Sequence, residues 1–207
     1  MTAWFRVKPE APWGDYGNIL AHGMTGPGSC LQRDRVKVVT LERSGPFVPP
    51  VTQPHWGVIV VSEAAMHVIE AAGLTGCKFV PVEVVRCVKL AWEEWDLDAD
   101  EPQRYPAQGE PENYVLGRKH SPNTAAALPP LFFIDMPHGD DMVPREPRDV
   151  LSGRERLYRT DLIDPAAHPG TDFAEWRSSM VVVSQRARDI LADLGGRWLR
   201  FDPLTPV

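Results

Sequence analysis

Two stretches of this chain carry the same rhythm of apolar and polar positions, 122 residues apart and without a gap. Val58-Ile-Val-Val-Ser-Glu-Ala-Ala-Met-His-Val-Ile-Glu-Ala-Ala-Gly73 aligns with Met180-Val-Val-Val-Ser-Gln-Arg-Ala-Arg-Asp-Ile-Leu-Ala-Asp-Leu-Gly195, and Phe79 and Pro81 fall over Phe201 and Pro203. Val58–Val61 and Met180–Val183 are mostly β-branched apolar runs, which predict strands buried on both faces. Ser62 and Ser184 follow at once and suit helix N-caps. The next stretches place Ala65, Val68, Ile69 and Ala72, and Ala187, Ile190, Leu191 and Leu194, at the i, i+3, i+4, i+7 spacing of one helical stripe. Gly73 and Gly195 stand where a left-handed C-cap residue belongs. Second strands are expected at Lys78–Val85 and Trp198–Phe201. Repeated units therefore occupy about residues 56–85 and 178–204.

Outside the repeat the pattern predicts a strand near Trp4–Lys8, a loop through Gly14–Gly28 and a strand at Val36–Leu41. Val82–Trp92 reads as a long strand extending the first unit, and Leu131–Met136 as a buried strand. Residues 102–130 form a proline-punctuated connection. The segment 137–177 is polar, with a short helix at Val150–Tyr158. The 21 prolines and 16 glycines call for many turns. The expected fold is α+β: one domain over residues 1–207, with a mixed or antiparallel sheet, two strand–helix–strand units and long proline-rich loops.

A net charge of −6 argues against nucleic acid or an anionic membrane as partner, since both need a basic surface. Without an apolar run of about 18 residues no transmembrane helix is expected, and the N-terminus lacks the pattern of a signal peptide, so a cytoplasmic location is expected. Cys77 and Cys87, ten residues apart on one extended segment, lie beyond disulfide reach, and with Cys30 they read as free thiols.

Candidate chemistry is sparse. Gly23–Gly28 lacks the Lys-Ser/Thr of a phosphate loop. His138-Gly139-Asp140-Asp141 has no second ligand cluster, and histidines 22, 55, 67, 120, 138 and 168 form no metal-binding pair at helical spacing. Neither Cys30 nor the Asp135, Asp140 and Asp141 carboxylates sit in a pattern that would activate them. No catalytic residue, cofactor or metal site is therefore expected. The stretch Trp92, Glu93, Glu94, Trp95, Asp96 and Asp98 is the candidate partner-binding surface, because tryptophan anchors flanked by charge suit an interface.

The two copies, with Ala-Gly-Leu-Thr-Gly-Cys-Lys-Phe-Val-Pro-Val-Glu-Val84 after the first, resemble a family of bacterial proteins predicted to be immunity proteins of polymorphic toxin systems. That family carries a Val-Ser-Glu-Arg strand–helix unit near the middle, echoed at the C-terminus after a Gly-x-Asp-Phe segment. Gly170-Thr171-Asp172-Phe173 stands in the matching place here. The proline-rich style is similar to that of myxobacterial relatives. Gln185 replaces the glutamate and Gly195-Gly196 shortens the exit, and no Cys-x-x-Cys suggests a zinc-bearing version. The resemblance implies a protein that neutralises a cognate toxin by direct contact, and the acidity of the chain suits a basic one. The alternatives are an enzyme with a loop-assembled site and a structural or regulatory module that self-associates, for instance as a homodimer through its sheet edges.

Overall fold

The computed structural model describes residues 3–29, 38–139, 141–143, 161–176 and 180–207. In chain order the elements are β1 (Trp4–Pro9), α1 (Asp15–His22), β2 (Met24–Thr25), β3 (Thr40–Gly45), β4 (Val51–His55), β5 (Val58–Ser62), α2 (Glu63–Ala71), β6 (Lys78–Pro81) and β7 (Glu83–Lys89). There follow α3 (Asn113–Leu116), α4 (Pro122–Ala126), β8 (Leu131–Asp135), β9 (Leu162–Ile163), β10 (Phe173–Trp176), β11 (Met180–Ser184), α5 (Gln185–Gly195) and β12 (Leu199–Pro206). The fold is α+β. Three sheets run β10-β11-β1-β12-β9, β4-β5-β8-β6 and β2-β3-β7, with antiparallel and parallel neighbours mixed.

The segments aligned in the sequence build the same object. In each, a strand pairs with the one before it, leads into a capped helix, and returns in a parallel strand with an antiparallel strand inserted between. Val51 opposes Val61 in the first unit and Phe173 opposes Val183 in the second. Phe79 opposes Ile134, and Phe201 opposes Val7. These registers have their counterparts 122 residues on, save at the end of β4, where an irregularity sets His55 opposite Val58 while Trp176 opposes Met180; the inserted strand is β8 in the first unit and β1 in the second. Ser62 Oγ accepts from the Ala65 N–H at 3.3 Å and Ser184 Oγ from the Ala187 N–H at 3.2 Å, the geometry of an N-cap.

Every residue of β5 and β11 is buried, so each strand needs cover on both faces. The inner faces meet in one core. Val51, Ile59, Val61 and Ile134 of the first unit join Phe173, Val181, Val183 and Val7 of the second, with Ala65, Ile69, Ala187 and Leu191 from the helices. The outer face of the first unit, through Val58, Val60, Leu131 and Phe133, lies under Val39 and Leu41 near β3. The outer face of the second is partly covered by Met142, Val143 and Ile163.

Several expectations change. Val68 is exposed, at 46%, and Met66 takes its place in the buried stripe, because the helix is rotated slightly toward that side. The left-handed residue after α5 is Gly196 (φ 52°), one beyond Gly195, which packs against Leu199 with no room for a side chain. The supposed loop Gly14–Gly28 holds α1, which buries Leu20 and Ala21. Its Gly17 and Asn18 are poor helix formers, and tertiary packing overrides that preference. The strand at Val36–Leu41 lies later, at Thr40–Gly45; residues 30–37 and the helix at Val150–Tyr158 fall outside the described residues. Val82–Trp92 does not prolong the first unit: β7 ends at Lys89 and leaves for the third sheet, pairing parallel with β3.

The two caps differ in one respect. Ser184 Oγ also donates to Asp172 Oδ1 at 2.7 Å, while Asp172 Oδ2 accepts from the Thr75 N–H and Oγ1–H at 2.9 and 3.0 Å. The Gly-x-Asp-Phe segment thus ties the second helix to the loop after the first. Ser62→Ala should cost about 1 kcal/mol in urea unfolding, as an ordinary cap loss, and Ser184→Ala about 2 kcal/mol, since the half-buried Asp172 carboxylate also loses a donor. Equal losses at the two serines would contradict this role of Asp172.

Candidate functional site

The six residues singled out in the sequence divide between interior and surface. Trp92 is fully buried and Trp95 nearly so, in an aromatic cluster with Leu20, Ala21, Tyr114 and Trp198. The Trp92 and Trp198 rings meet edge to face with centroids 5.4 Å apart, and Phe47 packs on Trp92 at 5.6 Å. These indoles are the base on which the segment stands and offer no face to a partner. Glu93 is half-buried, while Glu94, Asp96 and Asp98 are exposed.

Residues 93–112 contain eight carboxylates and the single cation Arg104, a local charge of −7. The whole chain carries −6, so everything outside this segment amounts to +1. The negative charge of the protein is therefore a local feature. The segment has little regular structure, yet its backbone is held at four places. Trp13 Nε1 donates to the Ala99 carbonyl at 2.8 Å and Arg197 Nη2 to the Leu97 carbonyl at 3.3 Å. The hydroxyls of Tyr114 and Tyr16 donate to the carbonyls of Arg104 and Gly109. Burial pushes the Tyr114 phenol up to about 12, with the neighbouring Tyr16 and Tyr105 adding to the shift, so it remains a donor at neutral pH. The donors come from residues 13, 16, 114 and 197, so the clamp is assembled by the tertiary fold. No local pattern announces it.

The other sequence candidates are not brought together. Among the described residues no three His, Cys, Asp or Glu side chains are placed to hold a metal ion. His138 and Asp135 are half-buried and Asp141 is exposed; Asp140 and Cys30 lie outside the described residues. Cys77 precedes β6 while Cys87 lies in β7, so they belong to different sheets and are free thiols. Burial pushes both thiols up, in Cys87 against the opposing charge of Arg43, so neither is activated as a nucleophile. No helix among the described residues is long and apolar enough to cross a membrane.

One buried polar network escapes the sequence. His22 Nδ1 accepts from the Gln53 N–H at 3.1 Å, and its Nε2 lies 3.1 Å from the Glu10 carbonyl, which fixes the neutral tautomer with Nε2 as donor. Arg43, wholly buried, donates from Nη1 and Nη2 to the carbonyls of His22 and Ala21 at 2.8 Å each, closing the C-terminus of α1. Arg43 is two residues beyond Leu41 in a strand, and nothing nearby in sequence marks it as interior. Compared with protein-family models the chain matches none, and no characterised protein matches it by sequence.

Burial holds His22 down to about 4; the Glu10 carbonyl opposes this and Arg43 adds to it. His168, stacked on Trp4 with ring centroids 3.8 Å apart, is held down to about 4 by burial as well. Each imidazole is neutral in the folded chain yet titrates near 6.5 when unfolded, so unfolding takes up protons between those values. Stability should be complete above pH 6.5 and fall as the pH drops from 6.5 toward 4, with His22→Asn removing about one of two protons taken up on unfolding near pH 5. A stability profile that stays level between pH 7 and 4 would contradict both environments.

Proposed function

We propose that the protein binds and neutralises a cognate basic toxin in the cytoplasm, presenting the carboxylates of residues 93–112 as its recognition face. One observation carries this reading: more negative charge than the whole chain bears stands on a single segment whose carbonyls are clamped by four side-chain donors. A surface held in place before binding loses little entropy on association, and concentrated charge of one sign accelerates encounter with a partner of the other. The resemblance of the two strand–helix units to immunity proteins points the same way.

Glu94, Asp96 and Asp98 make the first contact with lysines and arginines of the toxin. The indoles beneath them serve the interface indirectly, by keeping the segment rigid. A stable inhibitor needs about 1,200–2,000 Å² of total buried surface, more than three carboxylates supply, so the exposed acids Asp100, Glu101, Glu110 and Glu112 belong to the same face.

Co-expression with the toxin encoded in the adjacent reading frame should restore growth. The triple variant Glu94→Gln, Asp96→Asn, Asp98→Asn should slow association about tenfold at low salt, by loss of electrostatic steering, while Tm stays unchanged. Toxicity undiminished by a folded protein, or an association rate indifferent to both salt and these substitutions, would overturn the reading.

A further inference from the structure

The two units match in register, so their differences can be read position by position. In the first, Val60 opposes Phe133 on β8, and Phe133 opposes Val80 on β6. At the equivalent positions of the second, Val182 opposes Arg6, and Arg6 opposes Asp202. Phe133 is sealed under β3. Among the described residues no third sheet lies over Arg6, and an ion pair stands where the first unit has an apolar contact: Arg6 Nη2 lies 2.8 Å from Asp202 Oδ2.

The pair is part of a larger group. Lys8 Nζ reaches the same Asp202 oxygen at 2.7 Å, and Arg200 Nε reaches Oδ1 at 3.1 Å. Arg200 is shared with Glu10 at 3.1 Å. Among the described residues three cations are therefore answered by two carboxylates. Burial tends to raise the Asp202 carboxyl, but the bonds from Lys8 and Arg6 outweigh it and hold the group at about 2. Asp202 therefore stays ionised across neutral pH.

If the uncovered face were only adapted to water, its surroundings would be polar. They are not. Arg6 and Lys8 line a cleft of about 460 Å³ whose other walls include Val7, Pro9, Trp56, Trp176 and Met180. That volume suits a small organic ligand, for which sites run to about 300–1,000 Å³. Trp56 lies in the turn between β4 and β5 and is 73% exposed, so most of its indole faces outward. Gln53 secures this wall: its Nε2 donates to the Trp56 carbonyl at 2.7 Å, and its own N–H is held by His22. The Gln53 Oε1 is buried without a partner among the described residues. The cleft draws on β1, the β4–β5 turn, β10 and β11, so it sits where the two units meet.

We propose that this cleft is a binding site for a small, flat aromatic monoanion, its ring against Trp56, Met180 and Trp176 and its negative group beside Lys8 and Arg6. Flat apolar walls select a ring, and the unanswered positive charge selects an anion over a neutral molecule of the same shape. The site uses none of the acidic segment, so it stands or falls independently of toxin binding.

Two probes of one ring system separate the contributions: 1-anilinonaphthalene-8-sulfonate, a flat monoanion, and N-phenyl-1-naphthylamine, its uncharged counterpart. Fluorescence titration of the full chain should give one saturable site, with the anion bound at least about fivefold more tightly. Trp56→Ala should weaken both probes about tenfold while circular dichroism and Tm stay unchanged. Lys8→Gln should weaken the anion alone and bring the two affinities together. Non-saturating binding, equal affinity of the native chain for both probes, or affinities untouched by Trp56→Ala and Lys8→Gln would each overturn the site.

Discussion

A strand buried along its whole length must be covered on both faces, and β5 and β11, at the centre of the two units, are both of this kind. A strand–helix–strand unit covers one sheet face with its own helix and leaves the other bare. Here the two units turn their helix-bearing faces to one another and share one interior, in which Val61 and Val183, Ala65 and Ala187, and Ile69 and Leu191 are counterparts. At about 25 cal/mol per Å² of apolar surface, that shared burial is the main term holding the units together. The outer faces are then separate problems with separate solutions. The first unit is capped by β2-β3-β7. The second is capped in part and, among the described residues, forms a cleft at Arg6 and Lys8.

Around this core the polar groups do directed work. Asp172 joins the cap of α5 to the loop after α2, and Arg186 of the second unit donates to the Ala72 carbonyl at the end of α2 in the first. Arg43 does the same for α1. The aromatic cluster of Trp92, Trp95, Tyr114 and Trp198 in turn supports the acidic segment at a distance from the shared interior. The acidic segment thus stands on a base of its own, apart from the core that the two units share.

The repeat was legible because strand burial, capping and helical spacing are local properties, and two copies in phase reinforce one another. What failed were inferences that needed to know neighbours. Val82–Trp92 looks continuous with the first unit, but β7 turns away to pair with β3, a decision taken by residues 40–45. The strand β4 is hidden by Pro54, which an edge strand tolerates and a central one does not. Trp92 and Trp95 look like exposed anchors because acids flank them, yet the indoles turn inward while the carboxylates turn out. The cleft could not be read at all, since its walls come from residues as far apart as Arg6 and Met180.

Native-state hydrogen exchange tests the shared interior most directly. If the two units close one core, the amides of Val60 and Val61 and those of Val182 and Val183 should exchange through the same opening, with free energies agreeing to within about 1 kcal/mol and falling together in denaturant. Protection in one strand pair that is lost well before the other, with its own denaturant dependence, would show two units that fold apart and would contradict the account.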